Sequence, residues 1–557
     1  MSILPDAAAG EDKATAVLRL LVLTLSLLNW AQSNAQEPGL VDVAATAGLD
    51  FVHQNGMRGE RWLVETVGAG AGLLDFDDDG RVDLWLVQGG PLDRRTGKLP
   101  VDRLYRNVSE GGRIQFEDVT RVSGVEADEY GMGIATADVD GDGDVDVFLA
   151  NFGANRLFEN VGGGRFRDAT ARAGVAGTDW SISASFADVD GDGRVDLYVA
   201  NYLDYTLAGN KDCKDTSLRP TYCAPEVYPA RQDRVYRNLG GFKFEDVTEA
   251  WGVDAATGPG MGVVADDFDG DGRFDWYVAN DGAANLLWLN KGKRLVDGAV
   301  LAFVAFNANG APEAGMGVDA ADYDRDCDSD LIVTHLTTET NTLYVNQGGW
   351  FVDGTNAAGL AATSAAFTGF GTRWFDLELD GDLDIFVANG AVYPIEAQRK
   401  AGDAYPLRLR NQLWRNDGKR FVEVVAWPVL ERREVSRSAA FGDLDNDGDT
   451  DIVVTNSNGP ARVYRNEANA AWIGFDVRAA RGGPALGATV SLAECSTRTV
   501  HTDGSYASAS DPRVVFGLSD ADAGKARGPV AATVNWPDGE ARRLEGLEPG
   551  RYHRVTR

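Results

Sequence analysis

Histidine and cysteine are scarce in this 557-residue chain, with four of each, and methionine is nearly as rare at five. His53, His335, His501 and His553 stand far apart and leave little room for a histidine-rich metal site. The sequence has no Gly-x-Ser-x-Gly elbow, no glycine-rich phosphate loop, no His-Glu-x-x-His and no Cys-x-x-Cys. The signatures of the common hydrolytic, nucleotide-binding, zinc-peptidase and dithiol chemistries are therefore missing. Positive charge is short as well. Against 53 Lys and Arg stand 85 Asp and Glu, a net charge of −32 that repels nucleic acid and anionic lipid.

Long apolar runs are confined to the start. Leu20 to Leu28 (LLVLTLSLL) is too short to span a bilayer comfortably, and Ser33-Asn34-Ala35 follows with small residues suited to signal-peptidase cleavage. A signal peptide over 1–35 is expected, and with it secretion to a periplasmic or extracellular space and no membrane span afterwards. Asp6, Glu11 and Asp12 depart from a positive leader; translation beginning near Val17-Leu18-Arg19 would remove the conflict. In an oxidising compartment Cys213 and Cys223, ten residues apart in an irregular Pro-containing segment, are expected to close a disulfide loop. Cys327 and Cys495 are left open, free or paired.

What is abundant is glycine (66 residues) and a repeated acidic loop. The pattern D-x-D-x-D-G-x-x-D occurs seven times at spacings of 50 to 79 residues. Its carboxylates are Asp75, Asp77, Asp79, Asp83; Asp138, Asp140, Asp142, Asp146; Asp188, Asp190, Asp192, Asp196; and Asp267, Asp269, Asp271, Asp275. The last three copies are Asp322, Asp324, Asp326, Asp330; Asp376, Glu378, Asp380, Asp384; and Asp443, Asp445, Asp447, Asp451. Residues 1, 3 and 5 of such a loop turn their oxygens to one side, glycine at 6 takes the sharp turn, and a carbonyl near 7 and the acid at 9 complete an all-oxygen shell. That donor set suits Ca²⁺ better than Mg²⁺ or zinc, with up to seven sites expected. The flanks read as strands, not as the helices of an EF-hand. Cys327 replaces the turn glycine of the fifth loop, which is expected to bind most weakly because a non-Gly residue is strained there. Glu378 sets the sixth apart.

Each loop precedes a strand such as Val147-Phe-Leu-Ala150, then a third strand ending in Asn (Leu104-Tyr-Arg-Asn107) and a fourth such as Phe116-Glu-Asp-Val-Thr120. Small residues lead into every loop: Gly70, Gly133, Ser183, Gly262, Gly317, Gly371 and Ser438 stand five before its first Asp. They mark the strand that converges on an axis. Four strands per unit and seven units give an all-β fold, a seven-bladed β-propeller with calcium-binding inner hairpins. The expected limits are 36–466 for the propeller and 467–557 for a small β-sandwich-like domain. Blade seven lacks its own Phe-x-Asp-Val-Thr strand, whereas Leu40-Val-Asp-Val43 through Gly48 matches one and has no loop of its own. Residues 40–49 are therefore expected to close blade seven.

These units resemble the FG-GAP (VCBS) repeats of integrin α-subunit propellers. Residues 467–557 resemble the ASPIC/UnbV domain through Trp472-Ile-Gly474, Gly487-Ala-Thr-Val490, Gly504-Ser-Tyr506, Ser510-Asp-Pro-Arg513, Phe516-Gly-Leu518 and Trp536-Pro-Asp-Gly539. Together they are similar to the cartilage-acidic-protein family. The resemblance implies secretion and calcium; it implies no agreed activity.

Five residues past each loop stand Gln88, Asn151, Asn201, Asn280, His335, Asn389 and Asn456, read as turn caps or as a polar ring on the end opposite the metal loops. Insertions at 89–104, 202–235 and 390–413 fall on that end and carry Tyr202, Tyr205, Tyr222, Tyr228, Tyr393 and Tyr405. The leading expectation is a module binding an extracellular protein or glycan there. The alternative is a propeller lyase or hydrolase on the same face, with His335, His53 and Glu65 as the catalytic candidates.

Overall fold

The computed structural model describes residues 39–92, 99–418, 420–425, 427–493, 495–518 and 529–557. The expected signal peptide lies outside them. Among the described residues no helix is long and apolar enough to cross a membrane.

The acidic loops force the chain to reverse, and the apolar, β-branched and aromatic runs on either side pair as antiparallel strands. Blade one is built from Ala71–Leu74, Asp83–Leu86, Arg103–Asn107 and Phe116–Asp118 in that order. Blade two follows with Gly131–Ala137, Asp146–Asn151, Arg156–Asn160 and Phe166–Asp168, and the pattern continues to an inner strand Ser436–Gly442 in blade seven. Blade seven takes its outer strand from the other end of the chain: Val41 pairs with Arg465 and Asp42 with Tyr464. Ala44, Ala47 and Phe51 are then buried with Leu73, Leu84, Tyr105, Val453 and Val463, so one apolar core joins blades seven and one. Each inner strand lies against that of the next blade, and the seventh lies against the first. The molecule is a seven-bladed β-propeller.

The Asn ending the third strand fastens blade to blade. The side-chain amide of Asn107 donates to Val82 O in its own loop and to Leu444 O in the loop of blade seven, both at 2.8 Å. Asn160, Asn238, Asn290, Asn346 and Asn466 reach back in the same way to Phe76, Val139, Val189, Phe268 and Leu377 of the preceding blade. Each is a buried bond worth about 1 kcal/mol net, and leaving its carbonyl unpaired would cost more.

The C-terminal domain packs a three-stranded sheet, with Trp472–Arg478 between Val514–Gly517 and Tyr552–Thr556, against a four-stranded one. The second sheet runs Ser496–Thr499, Thr489–Ala493, Val530–Asn535, Ala541–Leu547. Between the two sheets its chain leaves the domain and enters the axis of the propeller. Residues 502–511 are all buried. They touch all seven blades. Ser508 and Ala509 pair with Ala71 and Gly72 of blade one, and Thr502 Oγ1 donates to Thr136 O of blade two at 2.9 Å. Ala507 N donates to Ser183 Oγ of blade three, and Asp503 Oδ2 accepts from Ala265 N of blade four, both at 3.0 Å. Ser505 O accepts from Val318 N of blade five, Tyr506 stands edge-on to Phe370 of blade six, and Ser505 Oγ donates to Ala439 O of blade seven. The small residues of the inner strands make this possible. A Cβ on Gly70 would lie 2.6 Å from Ala507 O, and one on Gly371 3.0 Å from Ser505 Oγ.

Candidate metal centres and the opposite face

All seven loops share one local design. The first Asp accepts backbone N–H groups from positions 5 and 6: Asp75 from Asp79 at 3.1 Å and Gly80 at 3.0 Å, and so on to Asp443 from Asp447 at 3.1 Å and Gly448 at 2.8 Å. The ninth residue joins loop to sheet. Asp83 accepts from Phe76 N and from Asn107 N, and Asp451 likewise from Leu444 N and Asn466 N. Carboxylate oxygens of Asp75/Asp77/Asp83, Asp138/Asp140/Asp146, Asp188/Asp190/Asp196, Asp267/Asp269/Asp271 and Asp322/Asp324/Asp330 converge within 4.8 Å of one another. These clusters could hold metal ions. At position 3, Asp77, Asp269, Glu378 and Asp445 each keep a buried carboxylate oxygen with no hydrogen-bond partner. Such an oxygen is costly unless a cation takes it. Burial, with neighbouring aspartates adding to it, pushes Asp75 and Asp138 up to about 6, Asp196 to about 7 and Asp275 and Asp330 to about 8. A divalent ion would relieve both effects.

The loops differ in what surrounds them. In blades one, three and four, Arg81, Arg194 and Arg273 at position 7 fold back onto the Asp at position 5. Blades two, five, six and seven have Asp144, Asp328, Asp382 and Asp449 there instead, so each of these loops carries five acids. Asp449 is buried, with both oxygens unpartnered and a carboxyl raised to about 9 by burial and by Asp447, Asp443 and Asp445. The C-terminal domain covers this loop: Tyr552 donates its hydroxyl to Asp443 Oδ2 at 2.9 Å, and Arg513 donates to Asp443 O at 2.8 Å. The same domain reaches loop six, where Gly517 N donates to Asp376 Oδ2 at 3.1 Å. At loop five the contact is covalent. Cys327, at φ 78°, is disulfide-bonded to Cys495.

At the opposite end, the Cys213–Cys223 disulfide is formed. The insertion tyrosines expected to be displayed are mostly not. Tyr202, Tyr205, Tyr222, Tyr228 and Tyr405 are buried, and of the six only Tyr393 is exposed. Their rings pack over the blade ends, and two of the hydroxyls bond carboxylates: Tyr222 donates to Glu65 Oε2 at 2.9 Å and Tyr202 to Asp281 Oδ2 at 2.5 Å. Beneath them Arg437, fully buried, donates to Thr66 O, Gly390 O and Ala391 O and lies 4.1 Å from the Phe370 ring centroid.

The FG-GAP-like repeat family matches residues 75–149, 138–199 and 267–333, and the FG-GAP repeat family matches 436–473. The ASPIC and UnbV family matches 479–557. The chain carries FG-GAP repeats and an ASPIC/UnbV domain. Loop six of these FG-GAP repeats, the one with Glu378, lies outside the matched residues. No curated protein matches the chain. Among solved structures, an Agrocybe aegerita lectin described for specific recognition of non-reducing terminal N-acetylglucosamine is 15% identical. It covers 71% of this chain and 87% of its own at a TM-score of 0.39. A rhamnogalacturonan lyase from Bacillus licheniformis is 13% identical, over 72% of each chain, at a TM-score of 0.36.

The FG-GAP loops gather their carboxylates as the sequence pattern leads one to expect, but not the catalytic candidates. His335 is buried, and its Nδ1 donates to Thr340 O at 2.9 Å. Asn151, Asn201, Asn280, Asn389 and Asn456 make the same bond with a side-chain amide at the same point of their blades. Six of the seven ring residues are therefore turn caps, with an imidazole standing in for one amide, whereas Gln88 donates to Val52 O and accepts from Gln54 N. Burial lowers the His335 pKa. His53 is buried and pushed down to about 3, and its Nδ1 accepts from Asn458 N at 3.3 Å. Glu65, also buried, is raised to about 7 by desolvation. No hydrogen bond or ion pair among the described residues joins any two of these three. Sequence reasoning missed Asp449, although an extra acid at loop position 7 is visible in the repeat. It also missed the axial segment 502–511, which has no periodicity to betray it.

Proposed function

We propose that this chain is a secreted, calcium-loaded propeller that binds an extracellular protein or glycan at the loop-rich end opposite its metal loops. In this reading residues 1–35 are a signal peptide, 36–466 the propeller closed by 40–49, and 467–557 a lid. The loop carboxylates at positions 1, 3, 5 and 9, from Asp75 to Asp451, would hold Ca²⁺, because they offer hard oxygen and neither nitrogen nor sulfur. Bound calcium would supply rigidity: it cancels the repulsion inside each loop and holds the first two strands of each blade in place. Two disulfides agree with an oxidising compartment.

One observation carries the choice of face. The ASPIC/UnbV domain lies on the metal-loop end and fills the axis with residues 502–511, so that end and the channel are already occupied by the chain itself. The insertions at 202–235 and 390–413 leave the other end free to meet a partner. The calcium-loaded protein should be screened on glycan and matrix-protein arrays, and its hit mapped by hydrogen exchange. Protection is expected within 202–234 and 390–412. Protection confined to the acidic loops or to residues 472–557 would overturn the reading.

A further inference from the structure

The loop-rich end contains a cleft of about 380 Å³ between blades two and three. Its walls come from three places in the sequence that the topology brings together. Phe152 follows the second strand of blade two, Asp179 and Trp180 precede the inner strand of blade three, and Asp204 and Tyr205 open the blade-three insertion. The floor is aromatic: Phe152 meets Trp180 at 5.4 Å and Tyr205 at 6.0 Å between centroids, and Trp180 meets Tyr205 at 5.3 Å. Trp180 and Tyr205 are buried and held rigid by these contacts, whereas Phe152 is only half-buried and presents ring to the opening.

The rim is polar and fixed. Arg231 donates from Nε to Asp179 Oδ1 at 2.6 Å, and its Nη1 stands 4.0 Å from the exposed carboxylate of Asp204. The indole N–H of Trp180 has no hydrogen-bond partner, although the residue is only 2% exposed.

We propose that this cleft is a saccharide subsite for a neutral or N-acetylated sugar ring. The proposal rests on the loop-rich end being the binding face and adds the ligand class. A sugar ring has an apolar C–H face that covers an aromatic floor and hydroxyls that both donate and accept. It would stack on Phe152, donate to the exposed carboxylate of Asp204, and accept from Arg231. Acidic sugars are disfavoured, because Asp204 and Asp179 stand at the rim of a chain with net charge −32.

The test is titration of the calcium-loaded full chain with neutral hexoses, N-acetylhexosamines, their short oligomers and the corresponding uronic acids, followed by tryptophan fluorescence and calorimetry. A neutral or N-acetylated sugar is expected to bind at least about tenfold more tightly than its uronate. Phe152→Ala and Asp204→Asn are each expected to weaken it by about tenfold or more, and Trp180→Phe to abolish most of the fluorescence change. Asp204 is exposed, so Asp204→Asn keeps the test valid if Phe152→Ala melts early. If sugars bind with affinities unchanged by both variants, the cleft is wrong and the choice of face survives. If no sugar binds, or only uronates or peptides do, the ligand class is wrong.

Discussion

The two ends of the propeller are built from opposite materials. The metal-loop end gathers nearly identical acidic turns whose carboxylates converge on one another, and the chain's own C-terminal domain then covers several of them. The loop-rich end is assembled from insertions of unequal length, and several of its buried carboxylates are bonded internally. Tyr222 bonds Glu65, Tyr198 bonds Asp233 at 2.7 Å, and Trp85 bonds Asp102 at 3.0 Å. One end gathers acids that could take cations and is covered by the chain's own C-terminal domain. The other bonds several of its acids internally and lies away from that domain.

Chelation should separate the two ends most sharply. Calcium binding to several folded-state sites stabilises by mass action, and its removal leaves buried like charges. EDTA should lower the melting temperature by tens of degrees, on the order of several kcal/mol, with recovery on adding Ca²⁺. An unchanged melt at low salt would remove calcium from the account. Next in size is the closing strand. Deleting residues 39–49 strips Ala44 and Ala47 from the core between blades seven and one, takes Leu40 from the core between blades six and seven, and bares the strand Arg462–Arg465. Loss of Leu40 alone is worth about 2–5 kcal/mol, so the deletion should aggregate or unfold. A monomer that melts like the parent would show that blade seven does not need the strand.

The tether is smaller. Cys327→Ser with Cys495→Ser removes the only covalent link between loop five and the C-terminal domain and should cost about 2–4 kcal/mol in thermal or denaturant unfolding. Cys327 keeps its positive φ whether or not it is bridged, so calcium affinity at loop five should not recover in the variant. Smallest is a pH effect at the other end. Glu65 is raised from 4.5 to about 7, chiefly by burial. Below 4.5 both the folded and unfolded chains carry its proton. Between 4.5 and 7 the folded chain retains a proton the unfolded chain has lost, so stability falls as pH rises through that window. Glu65→Gln should match the parent near pH 4.5 and exceed it near pH 8 by up to about 3 kcal/mol. Equal pH profiles would mean Glu65 is not held in its buried form.

The difference between the ends also explains what was legible in the sequence. The loops could be read because their chemistry dictates residue type at fixed spacing, and the outer strand of blade seven because Leu40 to Gly48 repeats a pattern used elsewhere. Asn107 and its equivalents were visible as a repeat, but their task was not, since each acts on a carbonyl in a different blade. Cys327 looked like a damaged metal loop; its partner lies 168 residues away, beyond any local pattern. Gly504-Ser-Tyr506 and Ser510-Asp-Pro-Arg513 were legible as residues of the C-terminal domain, but their place in the axis was not, because a segment buried among seven strands of small residues needs no apolar period. The tyrosines of the insertions misled for a related reason: irregular chain has no inside and outside to count along.

Hydrogen exchange with and without chelator tests the contrast most directly. Residues 438–451 and 495–513 should lose protection first when calcium is withdrawn, because the acidic loops meet the C-terminal domain on both sides of the axial segment, through Arg513 at Asp443, Gly517 at Asp376 and the Cys327–Cys495 bridge. Residues 202–234, held by their own disulfide and tyrosine bonds, should remain protected until the whole molecule opens. Early exchange in 202–234, or simultaneous loss at both ends, would contradict a calcium-dependent end set against a self-sufficient one.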